Sequence, residues 1–436
     1  MKLTRIVFLT FLLAFVASQS VFAQSDAPLA IVLTADGPIM PPMLEYFKRG
    51  IETAERRDAE VLIIELNTPG GSVDTLLEII QVIRSSKVPV VVYVAPREAI
   101  AGSAGALITM AGHASAMAPG TTIGAASPID ASGADINETL ESKVREILKA
   151  KARSLLEDRS VTAVELAEAM IDDAKAVTAG EALDAELIDF VADDTDDLLR
   201  HLDGFTVRLA DGERQLDTAG ALAEPLEMSF IEGFLLLLTD PNIAFLLLAI
   251  GVQAILIEIS SPGGWVAGFT GAVCLTLAVY GMGVLPVNWF GVLFLIIAFV
   301  LFILDIKAAT HGALTTAGVA SFIVGALVLF NSPGTPQFQR VSIPLVIGVS
   351  LFIGALFFTV MVFALRAQRG RIQTGSESLP GKTGTARTAV KDTGQVQVES
   401  ELWSAETAEG SDEIRKGDHV EVVEVKGLRL IVRKIK

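Results

Sequence analysis

The chain has 436 residues, 51% of them hydrophobic and 19% charged, with a formal net charge of −17. That is too apolar for a soluble protein of this length and calls for a membrane part. The acidic balance argues against nucleic acid as a partner, which would draw on clustered Lys and Arg, and the single cysteine, Cys274, excludes an intramolecular disulfide or a cysteine metal cluster.

Residues 1–23 read as a signal peptide: Lys2 and Arg5, the apolar run IVFLTFLLAFVA, then SVFA, with the cut after Ala23. An uncleaved anchor helix is the alternative, and either way residues from Gln24 onward face the outside of the membrane. From Leu29 the chain alternates short β-branched runs with amphipathic stretches, the signature of βαβ units. LAIVLT is a strand, PPMLEYFKRGIETAERR a helix with proline in its first turn, and AEVLIIEL a buried strand that ends in NTPGGSVD. Ser72 or Asp74 is positioned to cap the next helix, whose Leu76, Leu77, Ile80 and Ile83 recur at helical spacing. VPVVVYVA is the third strand and leads into AIAGSAGALITMAGHASAMAPGTTIGAASP, with Ser103 at the start of a small-residue helix running to Gly112.

Two glycine-rich turns after parallel strands fall where α/β sheets bind ligands. Each has a plain reading: Gly70 and Gly71 as a tight turn, Ser103 as a helix cap. Together they have a sharper one. A serine at a helix N-terminus, facing a Gly-Gly turn with exposed backbone N–H groups, is a layout for acyl transfer. Such a serine needs a base. His113 lies ten residues on, about 15 Å along a continuing helix and out of hydrogen-bond reach. His201 lies beyond the expected core, and His311 and His419 are in or behind the membrane.

A helix from Glu138 to Asp158 supplies lysines instead. Its apolar face is expected to hold Leu140, Val144, Ile147, Leu148, Ala152, Leu155 and Leu156, with Lys143 on the edge of that face and Arg145, Lys149 and Arg153 outward. Lys143 is the lysine placed to turn inward. A lysine base has to be neutral, which burial or a neighbouring cation would enforce; a stem laid over apolar neighbours with its amine in water is the other reading.

Residues 204–229, acidic and polar with a strand-like FTVRL, read as a linker to the bilayer, and the acidic run as simple solvation. SFIEGFLLLLTDP is short and suits the membrane interface. The region 230–370 has room for about five spans: Asn242 to Ile259, Trp265 to Leu285, Val287 to Ile306, Ala313 to Phe330 and Val341 to Leu365. An odd number carries the chain from outside to inside, and Lys307, Arg366, Arg369 and Arg371 agree, with Arg340 opposed. Asp305, Lys307 and His311 are read as loop residues at the interface rather than a proton relay. Residues 371–436 alternate in short runs between Gly, Asp and Lys turns, the pattern of a small β-barrel; Trp403 stands without a run of stacking aromatics, which argues against nucleic-acid binding.

NTPGGSVDT, AGSAGALITMAGHASAMAPGTTIGAASPI, KVREILKAKARSLLEDRS and TAGEALDAELIDFVA resemble successive blocks of the membrane-bound serine proteases of the NfeD family, relatives of the Clp protease and signal peptide peptidase group. The resemblance covers essentially the whole chain, in the order of the family's long form. It implies a Clp protease/crotonase-like α/β domain over 24–203, an all-α multi-span membrane region and a small all-β NfeD-type OB-fold. It further implies a Ser-Lys dyad, with Ser103 as nucleophile and Lys143 as general base, and an oxyanion hole from Gly71 and the N–H of Ala104. In the Clp branch a histidine stands about twenty-five residues after the serine; that position is Pro128 here.

Two departures affect geometry. Gly102 stands where the family commonly has another small residue, which loosens the turn, and Glu186 replaces the glycine that usually ends its helix, so an αL cap is not expected there. The function implied is an endopeptidase of the inner membrane, with its protease domain periplasmic or extracellular and its barrel cytoplasmic. It would cleave hydrophobic segments of membrane-associated, stomatin-like proteins, as a homo-oligomer and with no cofactor or metal. A non-catalytic membrane scaffold is the alternative, and an acyl-CoA enzyme is disfavoured by export, since CoA esters are cytoplasmic.

Overall fold

The computed structural model describes residues 27–128, 138–260, 264–308, 310, 312–332, 335–368 and 378–435; the signal peptide expected over 1–23 lies outside them. The first part alternates strands and helices as the hydrophobic pattern requires: β1 (Leu29–Asp36), α1 (Pro41–Arg56), β2 (Val61–Asn67), α2 (Val73–Arg84), β3 (Val90–Val94), β4 (Ile100–Gly102), α3 (Ala104–Ala111), β5 (Ala114–Met117) and β6 (Thr122–Gly124). There follow α4 (Glu138–Leu155), α5 (Val161–Asp172), β7 (Ala176–Thr178), α6 (Ala179–Asp184), β8 (Phe190–Val191), α7 (Thr195–Leu202), β9 (Thr206–Leu209), β10 (Gly212–Gln215) and β11 (Leu222–Pro225).

The main sheet runs β11-β1-β2-β3-β5-β8, every neighbour parallel. Its strands are apolar throughout because both faces are covered. Leu33, Leu62, Ile64, Val90 and Val92 go to the core beneath α1, α2 and α3, while their alternates Val32, Val61, Ile63, Val91 and Tyr93 meet Leu198, Leu199 and Leu202 of α7. Each such side chain contributes about 1.5–3 kcal/mol on burial. A smaller sheet, β4-β6-β7, stands at the carboxyl ends of β2 and β3 and carries the turn at Ser103.

Two local expectations are corrected. Ser72 does stand at the N-cap of α2, but neither it nor Asp74 makes the side-chain cap bond; the Ser72 N–H is instead held by Ile39 O at 2.9 Å. Glu186 lies in the left-handed region, φ +57°, and α6 ends in a Schellman arrangement after all: Leu187 N–H donates to Ala182 O and Glu186 N–H to Leu183 O, both at 2.9 Å. Backbone pairing and the burial of Leu187 outweigh the cost of a Cβ at that φ.

The stretch 204–229, expected as a linker, is folded. β9 and β10 form a hairpin, and β11 adds a parallel edge strand to β1, Leu29 opposite Leu222 through Val32 opposite Pro225. Tyr46 Oη donates to Leu226 O at 2.5 Å and fixes the exit from that strand. LAEP has no alternation of its own, and Pro225 is tolerated because it sits on an edge.

α8 (Phe230–Leu237) opens with a capping box between Ser229 and Glu232 and exposes Phe230, Ile231 and Leu237. Glu232 also receives Arg49 of α1, Nε at 2.8 Å and Nη2 at 2.7 Å, so this apolar helix is tied to the α/β domain. Five apolar helices follow: α9 (Pro241–Ser260), α10 (Val266–Val284), α11 (Phe290–Ala308), α12 (Ala313–Phe330) and α13 (Ile343–Gln368). Four of them are long and apolar enough to cross a membrane; the apolar part of α11 is shorter, Phe290–Asp305, because Asp305 and Lys307 fall near its end. Asp305 is not a loop residue as expected. It lies within α11, fully buried, with its carboxylate accepting from Thr315 N at 3.1 Å, Thr315 Oγ1 at 2.5 Å and Thr310 Oγ1. His311 and the Lys307 side chain lie outside the described residues.

β12 (Thr383–Ala386), β13 (Gly394–Val398), β14 (Glu401–Thr407), β15 (His419–Lys426) and β16 (Arg429–Lys434) close a barrel in the order β12-β13-β14-β16-β15 around Val396, Val398, Val420, Val422, Leu430 and Val432. The three-part fold class expected from the sequence, α/β then apolar helices then a small barrel, is the one found.

Candidate active site

Thr68 organises the first turn. It follows β2, its N–H donates to Ile100 O at 2.7 Å, and its carbonyl accepts from Gly102 N at 2.9 Å, which lays the Gly-Gly turn against β4. Its buried Oγ1 accepts from Gly70 N at 3.1 Å. Gly70 has φ +115°, and a Cβ there would lie 2.6 Å from Ser103 Cβ, so glycine is required both for the turn and for its approach to the serine. Gly71 pairs in parallel with Ile39: Ile39 N–H donates to Gly70 O at 2.8 Å and Ser72 N–H to Ile39 O at 2.9 Å. In a parallel ladder the residue bracketed in this way turns its own N–H to the opposite side, so the Gly71 N–H points away from Ile39.

Ser103 has φ +50° and ψ −112°, a sparsely populated conformation for a residue with a Cβ and one that costs about 1–3 kcal/mol. It is held by Ser103 N–H to Gly124 O at 2.8 Å and by Ala106 N–H to Ser103 O at 3.1 Å. Ser103 stands at the N-cap of α3 without the side-chain bond that would make it a cap. Among the described residues its Oγ makes no hydrogen bond. A sharp strand-to-helix turn that exposes an unengaged hydroxyl is the geometry of a nucleophile elbow. Gly102 does not loosen this turn: a Cβ there would come 3.2 Å from Pro69 O and 3.3 Å from Thr68 O, so the bare backbone lets the two turns close on one another.

Ser103, Gly71 and Ala104 meet in one cavity of about 140 Å³, whose walls include Leu76, Leu107, Ala126 and Leu148 and, among the described residues, no titratable side chain. Pro128 is among the lining residues. Ala104 is the first residue of α3, where a backbone N–H has no partner within the helix. The expected serine and both expected backbone donors are therefore together, in an apolar setting that strengthens any charge interaction inside it.

Lys143 is not brought to them in this arrangement. It is exposed on α4. The buried stripe runs through Leu148 and Ala152 to Leu156, with Val144 and Leu155 partly covered, whereas Ile147 is 54% exposed. The helix is thus turned from the expected phase: Lys149, expected outward, is the better-covered lysine, paired to Asp172 at 2.8 Å, and Arg145 pairs with Glu141 at 2.6 Å. The expected Leu140 contact lies outside the described side chains. Lys143 precedes cavity-lining Leu148 by five residues, about 7.5 Å along the helix axis.

His113 stands past the far end of α3, where Nδ1 accepts from Val90 N at 3.0 Å. Burial, aided by the Arg84 charge, lowers its pKa to about 4, so it is a neutral structural group. His201 is on α7, stacked on Phe190 with ring centroids 5.5 Å apart. Sequence reasoning missed Thr68 and Gly124. A threonine two residues before a Gly-Gly pair is a turn signal that was available; nothing in the local sequence shows that Gly124 O would hold the Ser103 N–H.

Comparison with known proteins agrees part by part. Residues 34–205 match the NfeD1b N-terminal domain, 242–363 the NfeD integral membrane domain, and 376–434 the NfeD-like C-terminal, partner-binding domain. The chain is 34% identical over 414 residues, 93% of each chain, to the membrane-bound protease PH1510 of Pyrococcus horikoshii. It is 27% identical over 435 residues to the membrane protein NfeD1b of Bacillus subtilis, covering 95% of this chain and 94% of the relative. Among solved structures it is similar to the 1510-N membrane-bound stomatin-specific protease, as a lysine-to-alanine mutant in complex with a substrate peptide, at 32% identity and TM-score 0.46 over 49% of this chain and 99% of that one. The three matches follow one another in the family's order over nearly the whole length, and the chain is a multi-pass membrane protein that belongs to the NfeD family.

Proposed function

We propose that the chain is a membrane-bound serine endopeptidase that cleaves apolar segments of membrane-associated polypeptides. The observation that carries this is Ser103: a strained, unengaged serine in a cavity beside two outward backbone N–H groups. The relative named a membrane-bound protease supports the reading. In the mechanism, Ser103 Oγ attacks the peptide carbonyl, the N–H groups of Gly71 and Ala104 hold the oxyanion, and the acyl-enzyme is released by water. Lys143 takes the serine proton and returns it to the leaving amine. It reaches Ser103 by displacement of the first turns of α4, pivoting on the packed Leu148, and is desolvated as the substrate segment covers it. A stomatin-like membrane protein is the substrate partner implied by the family resemblance.

We further propose five passes, with the α/β domain outside and the barrel inside. Asn288 N donates to Leu329 O at 3.0 Å and Ser342 N to Asn242 Oδ1 at 2.8 Å, so α9, α11 and α13 begin, and α12 ends, at one side of the block. That alternation requires α11 to cross; its 19 residues span about 28 Å, close to the hydrocarbon thickness.

Labelling by a fluorophosphonate probe tests the enzyme. Wild type in detergent should label at Ser103, with label lost in Ser103→Ala and Lys143→Ala. Absence of labelling in wild type, or label that persists in Ser103→Ala, would favour the scaffold reading, which the match to a partner-binding C-terminal domain keeps open.

A further inference from the structure

One wall of the Ser103 cavity comes from the membrane block. Pro336 and Phe338, on the turn between α12 and α13, line it together with Val73, Leu76 and Leu148. That turn is a built element. Asn331 closes its base, taking the Val341 N–H on Oδ1 at 2.8 Å and giving Nδ2 to Val341 O at 3.0 Å. Arg340 Nε donates across it to Thr335 O at 2.8 Å, and the Ser342 bond to Asn242 ties it to the start of α9. Gln339 is buried while Phe338 is only half-covered, so the aromatic ring is the part of the turn presented to the cavity.

We propose that this turn is a specificity subsite: Phe338, backed by Pro336, selects the side chain beside the scissile bond. The inference rests on the peptidase reading. The cavity, about 140 Å³, is close to the size of one that holds a benzene ring, and among the described residues no charged side chain lines it to pair a charged substrate side chain. The side chain it takes is therefore an uncharged apolar one of leucine-to-phenylalanine size, and a segment lying at the bilayer surface beside α12 and α13 meets the serine and its selector at once. Cleavage preference is then set by a residue of the membrane region, outside the α/β domain that holds the nucleophile.

The test uses the full chain in detergent, with peptides identical except for Ala, Leu, Phe or Trp beside the scissile bond, and Phe338→Ala and Phe338→Trp as variants. Phe338→Ala should raise kcat/KM for the bulkier side chains relative to Leu by about tenfold, and Phe338→Trp should shift preference toward Ala by a similar factor. Fluorophosphonate labelling of Ser103 should persist in both. Labelling with an unchanged ranking in both variants would overturn the subsite alone, as would a uniform rise for all peptides, which would mark the turn as a plug. Wild type that neither labels nor cleaves would overturn the peptidase reading and the subsite with it.

Discussion

Replacing Gly71 by alanine sets a Cβ 2.0 Å from Ile39 O, 2.6 Å from its carbonyl carbon and 2.7 Å from its Cα, where ordinary contact begins at 3.4 Å. More than an ångström has to be opened, and all three atoms are backbone. They are fixed by the bonds from Ile39 N to Gly70 O and from Ser72 N to Ile39 O, so the strain is relieved by pushing the turn toward the cavity. That carries the Gly71 N–H off the proposed oxyanion position by on the order of 1 Å. Loss of one such donor costs about 10²–10³ in kcat, roughly 2.7–4 kcal/mol of transition-state stabilisation. The assay is steady-state peptide hydrolysis by the full chain, with KM little changed and melting temperature recorded beside it. Gly180→Ala is the control, since its Cβ meets nothing within 4 Å and it lies in α6. A Gly71→Ala enzyme within about threefold of wild-type kcat would refute the oxyanion assignment.

Glu186→Gly should stabilise the α/β domain by about 1 kcal/mol by relieving the left-handed strain at φ +57°; an unchanged or lower denaturation midpoint would contradict it. Thr68→Val removes the acceptor 3.1 Å from the Gly70 N–H and should cost about 1–3 kcal/mol of stability together with most of the activity, read by denaturation and by hydrolysis rate. His113 has a folded pKa of about 4 against 6.5, so the unfolded chain takes up its proton first. Its contribution of about 3 kcal/mol is present above pH 6.5 and lost as pH falls through about 4. His113→Asn, which keeps an acceptor for Val90 N–H, should flatten the wild-type loss of melting temperature across that window.

The α/β pattern was legible because period-2 and helical-period runs are local signals, and the turns at Gly70 and Ser103 because glycine and small residues mark them. What was not legible depends on distant partners. β11 is a strand only because β1 has a free edge, Asp305 is buried only because Thr310 and Thr315 satisfy it, and Glu186 is left-handed because the Schellman bonds hold it there. The phase of α4 is not legible because Leu140, Val144 and Ile147 fit one stripe, and Leu148, Ala152 and Leu156 another, on the same helix. Burial in the hydrophobic core chose the second. That choice leaves Lys143 exposed, so in the proposed mechanism its approach to Ser103 is a movement rather than a fixed contact.

The most direct test of the whole account is mass analysis of the full chain quenched during turnover of an activated ester. We expect an acyl group on Ser103 in wild type, none in Ser103→Ala, and strongly slowed acylation in Lys143→Ala that rises with pH as other bases substitute. Acylation of any other residue, or undiminished turnover by Ser103→Ala, would contradict the account.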